Sequence, residues 1–180
     1  SRLDLDGLTP DRSTIEKTVS SLSIPVKVMI RPKSDNFIYS DLETNRMESD
    51  IEFCKGIGVG EVVFGMLNEE NHIDIDLTHR LAKRASPMNI TFHKAIDHTG
   101  DIMLALKRLC KVKQITSILT SGGKDFAIDG QDMIKEIIHN FSTRFNIIVA
   151  GGITNHNLDL VHSSIGAKEY HGKEIVGQLK

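Results

Sequence analysis

V-K-V-M-I-R, residues 26–31, is the stretch of sequence that decides the predicted fold. Side chains alternate across a strand, so the aliphatic residues of this run share one face, while Lys27, Met29 and Arg31 share the other. A doubly wound sheet would be more uniformly apolar on both faces of its strands. The alternation favours a barrel, with the aliphatic face against a helix layer and the mixed face turned inward.

Short runs rich in β-branched residues recur along the chain, and each is followed by a helical pattern of apolar residues. Besides the first run they are residues 62–64, 89–92, 117–120, 147–150 and 168–171. They lie roughly 20 to 35 residues apart, as successive βα units do. Strict alternation predicts a parallel sheet with right-handed crossovers. The predicted fold class is therefore α/β, a TIM-type (β/α)8 parallel barrel forming a single domain over residues 1–180.

Two helix starts and one helix near the carboxyl terminus carry local signals. Thr9 precedes Pro10, which predicts a helix N-cap followed by proline at the first helical position. Ser40 and Glu43 have the spacing of a capping box, in which each side chain accepts from a backbone N–H of the other. Residues 174–179 are typical of a final helix that begins directly after the last strand.

An eight-unit barrel typically takes about 250 residues, more than the 180 of this chain. Residues 2–5 are typical of one further strand, so we expect this chain to lack the first βα unit of the barrel. Loops are also expected to be missing near Leu5-Asp6 and Gly172-Lys173, where a strand runs almost directly into a helix. An incomplete barrel exposes strand edges that pair with other chains, so a homo-oligomer is one expectation.

Composition excludes several classes of protein. The net charge is −2, from 22 basic and 24 acidic residues without a basic block, so no nucleic-acid partner is expected. No apolar run approaches the roughly 18 residues of a membrane span. The two cysteines, Cys54 and Cys110, fit a reducing compartment with free thiols. We expect a soluble, cytoplasmic protein whose partner is a small molecule or a metal ion.

Ionisable residues cluster where the predicted strands end. They are Asp4, Arg31, His93, Asp97, Glu169 and His171. Ligands of parallel barrels bind at these carboxyl ends, so we take Arg31, His93, Asp97 and His171 as candidate catalytic residues. Charged groups placed inside a barrel must find partners. The cluster is therefore either a ligand site, which we favour, or a self-satisfied group that braces the mouth.

Glycine-containing ends of two strands predict anion binding. The candidates are Thr120, Ser121, Gly122, Gly151 and Gly152, since backbone N–H groups there can approach a phosphate before a helix starts. A Gly-Gly pair also makes ordinary tight turns.

Imidazole suits copper and zinc, so His93 and His171, with Asp4, are candidate metal ligands. Cys54 and Cys110 fall on helical apolar stripes and are expected to be structural.

Seven segments together resemble the CutC family from one end of the chain to the other. They are G-L-T-P (7–10), P-V-K-V-M-I-R-P (25–32), F-I-Y-S (37–40), V-V-F-G (62–65), T-F-H-K-A-I-D (91–97), L-T-S-G (119–122) and Y-H-G (170–172). The resemblance implies a TIM-type barrel, a cytosolic location, and a role in copper homeostasis with copper binding. It implies no particular enzymatic reaction.

The chain departs from the family pattern at one position that matters for copper. The family's strand-two motif is Arg, an aliphatic residue, Glu, Leu and Cys. Residues 2–5 match its first four positions with Asp4 for Glu, and Asp6 or an unseen loop stands in place of the cysteine. Cu(I) prefers thiolate or thioether ligands. Two hypotheses therefore stand: a copper-handling protein, or an enzyme or binder acting on a small anionic or phosphorylated metabolite.

Overall fold

Six parallel strands form one sheet in the order β1-β2-β3-β4-β5-β6 in the computed structural model, which describes residues 7–177. They are β1 Lys27–Met29, β2 Glu61–Phe64, β3 Asn89–Phe92, β4 Ile115–Thr120, β5 Asn146–Val149 and β6 Glu169–Tyr170. Each strand pairs with the next along the chain, as predicted. Within residues 7–177 the sheet remains open, so a full (β/α)8 barrel is not established. The predicted strand at residues 2–5 lies outside the described residues.

Helices follow the strands in alternation, and a helix also precedes β1. They are α1 Arg12–Ser21, α2 Asp41–Gly56, α3 Ile75–Ala85, α4 Ile102–Leu109, α5 Gln131–Phe141 and α6 Leu158–Ile165, with a 3-10 helix at Lys94–His98 between β3 and α4. Among the helices of residues 7–177, none combines the length and apolar character that crossing a membrane requires.

The two faces of the sheet differ in the way that residues 26–31 predict. Val28 and Ile30 are buried in the main apolar cluster, which also contains Met47 and Ile51 of α2. The opposite face carries polar side chains near the amino ends of the strands. There Lys27 Nζ lies 3.1 Å from the Glu61 carboxylate, which also accepts a hydrogen bond from the buried hydroxyl of Thr91.

The predicted start of the first helix was wrong by two residues, whereas the second was confirmed. Helix α1 begins at Arg12 with Asp11 as its N-cap, because the Asp11 carboxylate accepts the Thr14 N–H at 2.9 Å together with two nearby hydroxyls. The Thr9 hydroxyl instead accepts the Arg31 N–H at 2.8 Å, and Thr9 N–H donates to the Arg31 carbonyl at 3.0 Å. Thr9 therefore joins the segment before α1 to the carboxyl end of β1. Ser40 begins α2 with the expected capping box.

The helix predicted over residues 174–179 is not present in its described part. Glu174 instead forms a parallel bridge with Thr154, and its carbonyl accepts the N–H groups of Asn155 and Gly177 at 3.1 and 3.0 Å. Gly177 has a left-handed backbone, with φ of 80°. The chain after β6 therefore turns back onto the loop that follows β5, which removes the carbonyl that a helix would use.

Shortening Ile90 to alanine should destabilise the fold by about 2–5 kcal/mol, because Ile90 is fully buried in the interior strand β3 and the change leaves a cavity. Leu42→Ala is the matched control, since Leu42 is 81% exposed on α2 and should change the free energy of unfolding by less than about 0.5 kcal/mol. Urea unfolding measures both. Equal effects of the two changes would contradict this core.

Candidate functional site

The residues predicted to act together lie along one edge of the sheet, where the carboxyl ends of the parallel strands meet. Arg31 lies two residues beyond β1, His93 directly follows β3, and His171 directly follows β6. Thr120 is the last residue of β4. The candidate ligand Asp4 lies outside the described residues. Arg31 and His93 lie near one another, whereas His171 lies at the far end of the strand order.

His93 is a neutral hydrogen-bond donor held inside the protein. Its ring is only 3% exposed, and its Nδ1 accepts the Ala95 N–H at 3.2 Å. Burial, assisted by the nearby positive charge of Arg31, lowers the pKa of His93 to about 3. A neutral imidazole whose Nδ1 accepts must carry its proton on Nε2. No residue within 7–177 accepts a hydrogen bond from that Nε2–H.

Gly65, at the end of β2, makes room for this ring. A Cβ at residue 65 would lie 2.6 Å from His93 Nδ1 and 3.1 Å from the Ala95 Cβ, so any side chain there would displace the imidazole. The ring of Phe37 covers the same imidazole, with 5.0 Å between the ring centroids. The imidazole packs between Gly65 and the Phe37 ring, and these two contacts fix the direction in which Nε2–H points.

The loop between β1 and α2 folds over the mouth and carries an aromatic pair around Arg31. The Arg31 guanidinium lies 4.8 Å from the centroid of the Phe37 ring and donates to the Ser34 carbonyl at 2.8 Å. Phe37 is held in turn by a backbone hydrogen bond of 2.8 Å from Leu67. Burial raises the pKa of Tyr39 to about 12, partly opposed by the charge of Arg31.

Phe37 and Tyr39 did not figure among the site residues predicted from sequence. The available signal was their alternation directly after a strand that ends in arginine. Aromatic rings two residues apart in a loop beside a cation suit cation–π packing, as the Arg31 contact shows. The sequence pattern does not specify that this loop crosses β2 to reach β3.

Asp97 is satisfied by the protein itself. Its Oδ2 accepts the Ser121 N–H at 2.9 Å and the Ser121 hydroxyl at 3.0 Å. Its Oδ1 accepts the Gly123 N–H at 3.0 Å and the Thr120 hydroxyl. The ammonium group of Lys94 lies 3.5 Å from Oδ2, and the carboxylate side chain is only 5% exposed. Asp97 therefore has the internal partners that a bracing role would require.

The two predicted glycine sites differ in whether their N–H groups are used. Gly122 N–H donates to the Thr120 hydroxyl at 2.9 Å. Gly151 and Gly152 both have positive φ, of 110° and 66°, and within residues 7–177 their N–H groups have no acceptor. A Cβ at residue 152 would lie 2.4 Å from the Phe126 ring. The Gly151–Gly152 turn is therefore the glycine site that still offers donors.

Within residues 7–177, His93 and His171 do not belong to a cluster of metal-ligating side chains. His171 is exposed directly after β6, although desolvation by neighbouring protein atoms lowers its pKa. Cys54 is buried in α2, where burial raises its pKa to about 11, and Cys110 packs partly buried at the end of α4. Within the described part of the chain, no three His, Cys, Asp or Glu side chains lie close enough together to hold a metal ion.

Lowering the pH should destabilise the folded protein, because His93 is buried in its neutral form. Its pKa in the folded protein lies below the ordinary 6.5, so the unfolded chain binds a proton that the folded chain does not. Stability should therefore fall as the pH drops from about 6.5 towards 3, by up to about 1.4 kcal/mol per pH unit from this residue. His93→Gln should remove that component. Urea unfolding of both proteins between pH 7 and 4.5 measures the difference, and parallel slopes would show that His93 is not buried as a neutral ring.

Comparison with known proteins identifies related sequences over nearly the whole chain. A model of the CutC family matches residues 1–176. A human protein named copper homeostasis protein cutC homolog is 38% identical over 171 residues, 95% of this chain and 62% of the relative. The mouse protein of that name is 38% identical over 165 residues, 92% of this chain and 60% of the relative. The chain thus spans about three fifths of these relatives' length.

Solved structures give the same relationship at the level of the fold. A CutC protein from Streptococcus agalactiae superposes with a TM-score of 0.92 at 31% identity, covering 97% of this chain and 86% of that one. A dihydrodipicolinate synthase from Bacillus anthracis superposes with a TM-score of 0.55 at 15% identity, covering 87% of this chain and 48% of that one. The second likeness concerns the fold alone, which is that of a TIM-barrel-like α/β protein.

Proposed function

The chain belongs to the CutC family, and from that premise we propose that it serves copper homeostasis in the cytoplasm by binding a small anionic metabolite. The proposed site is the carboxyl edge of the sheet, around Arg31 and His93. The observation that carries the proposal is the Nε2–H of His93, a buried donor that meets no acceptor in residues 7–177. Buried donors are rarely left without an acceptor, because each costs free energy.

The chemistry of the two side chains selects the ligand. His93 offers an N–H, and Arg31 adds a guanidinium whose charge is felt at the imidazole. Both are donors, so the ligand must supply acceptor oxygens, as a carboxylate or a phosphate does. The pKa of about 3 keeps His93 neutral throughout the physiological range, so binding should not depend on protonating it.

A metal ion is a poorer fit to His93 than an oxygen acceptor. Metals bind the lone pair of a neutral imidazole nitrogen, and in the tautomer that accepts at Nδ1 the Nε2 atom carries a proton. Moving that proton to Nδ1 would set it against the Ala95 N–H, which now donates to Nδ1 at 3.2 Å. The positive charge of Arg31 opposes a cation as well.

If the site catalyses a reaction, the same residues at the carboxyl edge would take part in it. Hydrogen-bond donors and positive charge beside an oxygen stabilise negative charge that develops there during a reaction. Arg31 and His93 would take that role, while His171, further along the edge, would be the group able to exchange protons with solvent, because it is exposed. Asp97 would contribute by positioning the loop after β4.

Removing either donor should release the ligand. Protein purified from its own host should carry a small anion detectable by native mass spectrometry, and His93→Gln or Arg31→Gln should weaken its binding by about 10- to 100-fold, the effect of losing one charge-assisted hydrogen bond. Arg80→Gln is the matched control, since Arg80 is an exposed arginine paired with Glu48 on the helix layer. A bound anion retained equally by all three variants would count against the site.

Direct copper binding is the second candidate, favoured by the names of the mammalian relatives. His93, His171 and Asp4 are its candidate ligands. Whatever affinity Cu(I) shows, it should stay within about twofold in Cys54→Ser and Cys110→Ser, because burial raises the pKa of Cys54 and neither thiol lies at the carboxyl edge. Competition titration with a chromophoric Cu(I) chelator measures this. A tenfold loss in either variant would show that a thiol is a ligand.

A further inference from the structure

The loop between β4 and α5 surrounds the carboxylate of Asp97, which comes from the 3-10 helix after β3. We propose that Asp97 is a resident anion, whose carboxylate fills an oxyanion cradle and thereby closes this loop to phosphate and other external anions. An anionic ligand is then confined to Arg31, His93 and the Gly151–Gly152 turn. This consequence for the ligand rests on the proposed function, whereas the assignment of Asp97 rests on the loop itself.

The donors around Asp97 are those that an oxyanion site uses. Two backbone N–H groups, from Ser121 and Gly123, approach the two carboxylate oxygens at 2.9 and 3.0 Å. The Thr120 hydroxyl donates to Oδ1, and the Ser121 hydroxyl, which lies 3.0 Å from Oδ2, also contacts the Lys124 carbonyl. The Lys94 ammonium supplies the countercharge at 3.5 Å. Convergent N–H groups, hydroxyls and one lysine are the usual partners of a phosphate.

The cradle is fixed by the backbone rather than by the carboxylate alone. Gly122 and Gly123 have φ of 70° and 75°, which favour glycine. A Cβ at residue 122 would lie 2.5 Å from the Gly130 carbonyl oxygen, and one at residue 130 would lie 2.0 Å from the Ser121 carbonyl oxygen. The loop and the start of α5 therefore pack too closely to rearrange around a different ligand.

Occupation by Asp97 has a consequence for specificity. Both of its oxygens are saturated, and the side chain is nearly inaccessible, so a phosphate would have to displace a covalently attached competitor. The pairing with Lys94 also removes the net charge that would attract an anion to this side of the mouth. Asp97 is in this view a positioning and specificity-determining residue, not a catalytic one.

Asp97→Ala should convert the closed loop into an anion site. The two N–H groups, the Thr120 hydroxyl and the Lys94 ammonium would remain while the carboxylate is removed. The variant should therefore be less stable than the wild type and should regain stability with formate or inorganic phosphate. We expect 100 mM formate to raise its unfolding temperature by about 3 °C or more beyond the effect of sodium chloride at equal ionic strength. Ligands that bind only the folded state stabilise it in this way.

Asp101→Ala is the matched control. Asp101 is a nearby aspartate that caps α4 by accepting a single N–H, from Leu104 at 2.9 Å, so its loss should destabilise the protein without creating a cradle. Formate should stabilise it no more than it stabilises the wild type. Equal responses of Asp97→Ala and Asp101→Ala to formate would overturn the proposal.

Phosphate titration of the wild type, followed by amide NMR, gives a test that does not depend on the variant folding. The amides of Ser121 and Gly123 should stay unmoved, and saturable shifts there would overturn the proposal. Shifts at Gly151 and Gly152 would support both this inference and the proposed function. No shift anywhere would support the closed cradle while removing phosphate from the proposed function, so failure of one idea is distinguishable from failure of the other.

Discussion

The fold depends on strands that pack one apolar face against the helices and carry polar side chains on the opposite face. On the helix side, Val28 and Ile30 of the first strand region are buried with residues of α2, and on the other side Lys27, Glu61 and Thr91 form a chain of polar contacts. Burial of the apolar face supplies most of the stabilisation. The polar face survives burial because each charged group meets a partner across adjacent strands. Everything at the carboxyl edge is built on strands held in register by these two conditions.

Local sequence patterns predicted the elements and their order, because β-branched alternation and helix capping act over a few residues. The capping box of Ser40 and Glu43 is an example, since both partners lie within one turn. Thr9 and Asp11 show the limit of such reasoning. Both can cap a helix, and Asp11 does so because Thr9 bonds to Arg31, 22 residues away. The turn at Glu174 has the same cause, a backbone partner at Asn155 that no local pattern reveals.

For the candidate site, too, sequence patterns predicted where residues lie along the strands but not which contacts they make. Arg31 and His93 were found because they follow strands, and parallel strands end at one edge. What each side chain does there was not predictable. The role of Asp97 depends on N–H groups about 24 residues further along, and the tautomer of His93 depends on the Ala95 N–H in a 3-10 turn. Loop geometry of this kind is set by packing between units, as Gly65 and Phe37 around His93 illustrate.

Electrostatics at the carboxyl edge bears on the charge of the ligand that this site would accept. Placing a cation next to a buried guanidinium costs free energy, because the low dielectric strengthens the repulsion between the two charges. His93 offers the cation no free lone pair, since its Nδ1 already accepts the Ala95 N–H. An anion at the same place gains from both groups, and the Lys94–Asp97 pair adds no net charge to attract it elsewhere. The charges of the described residues thus favour an anion over a cation beside Arg31 and His93.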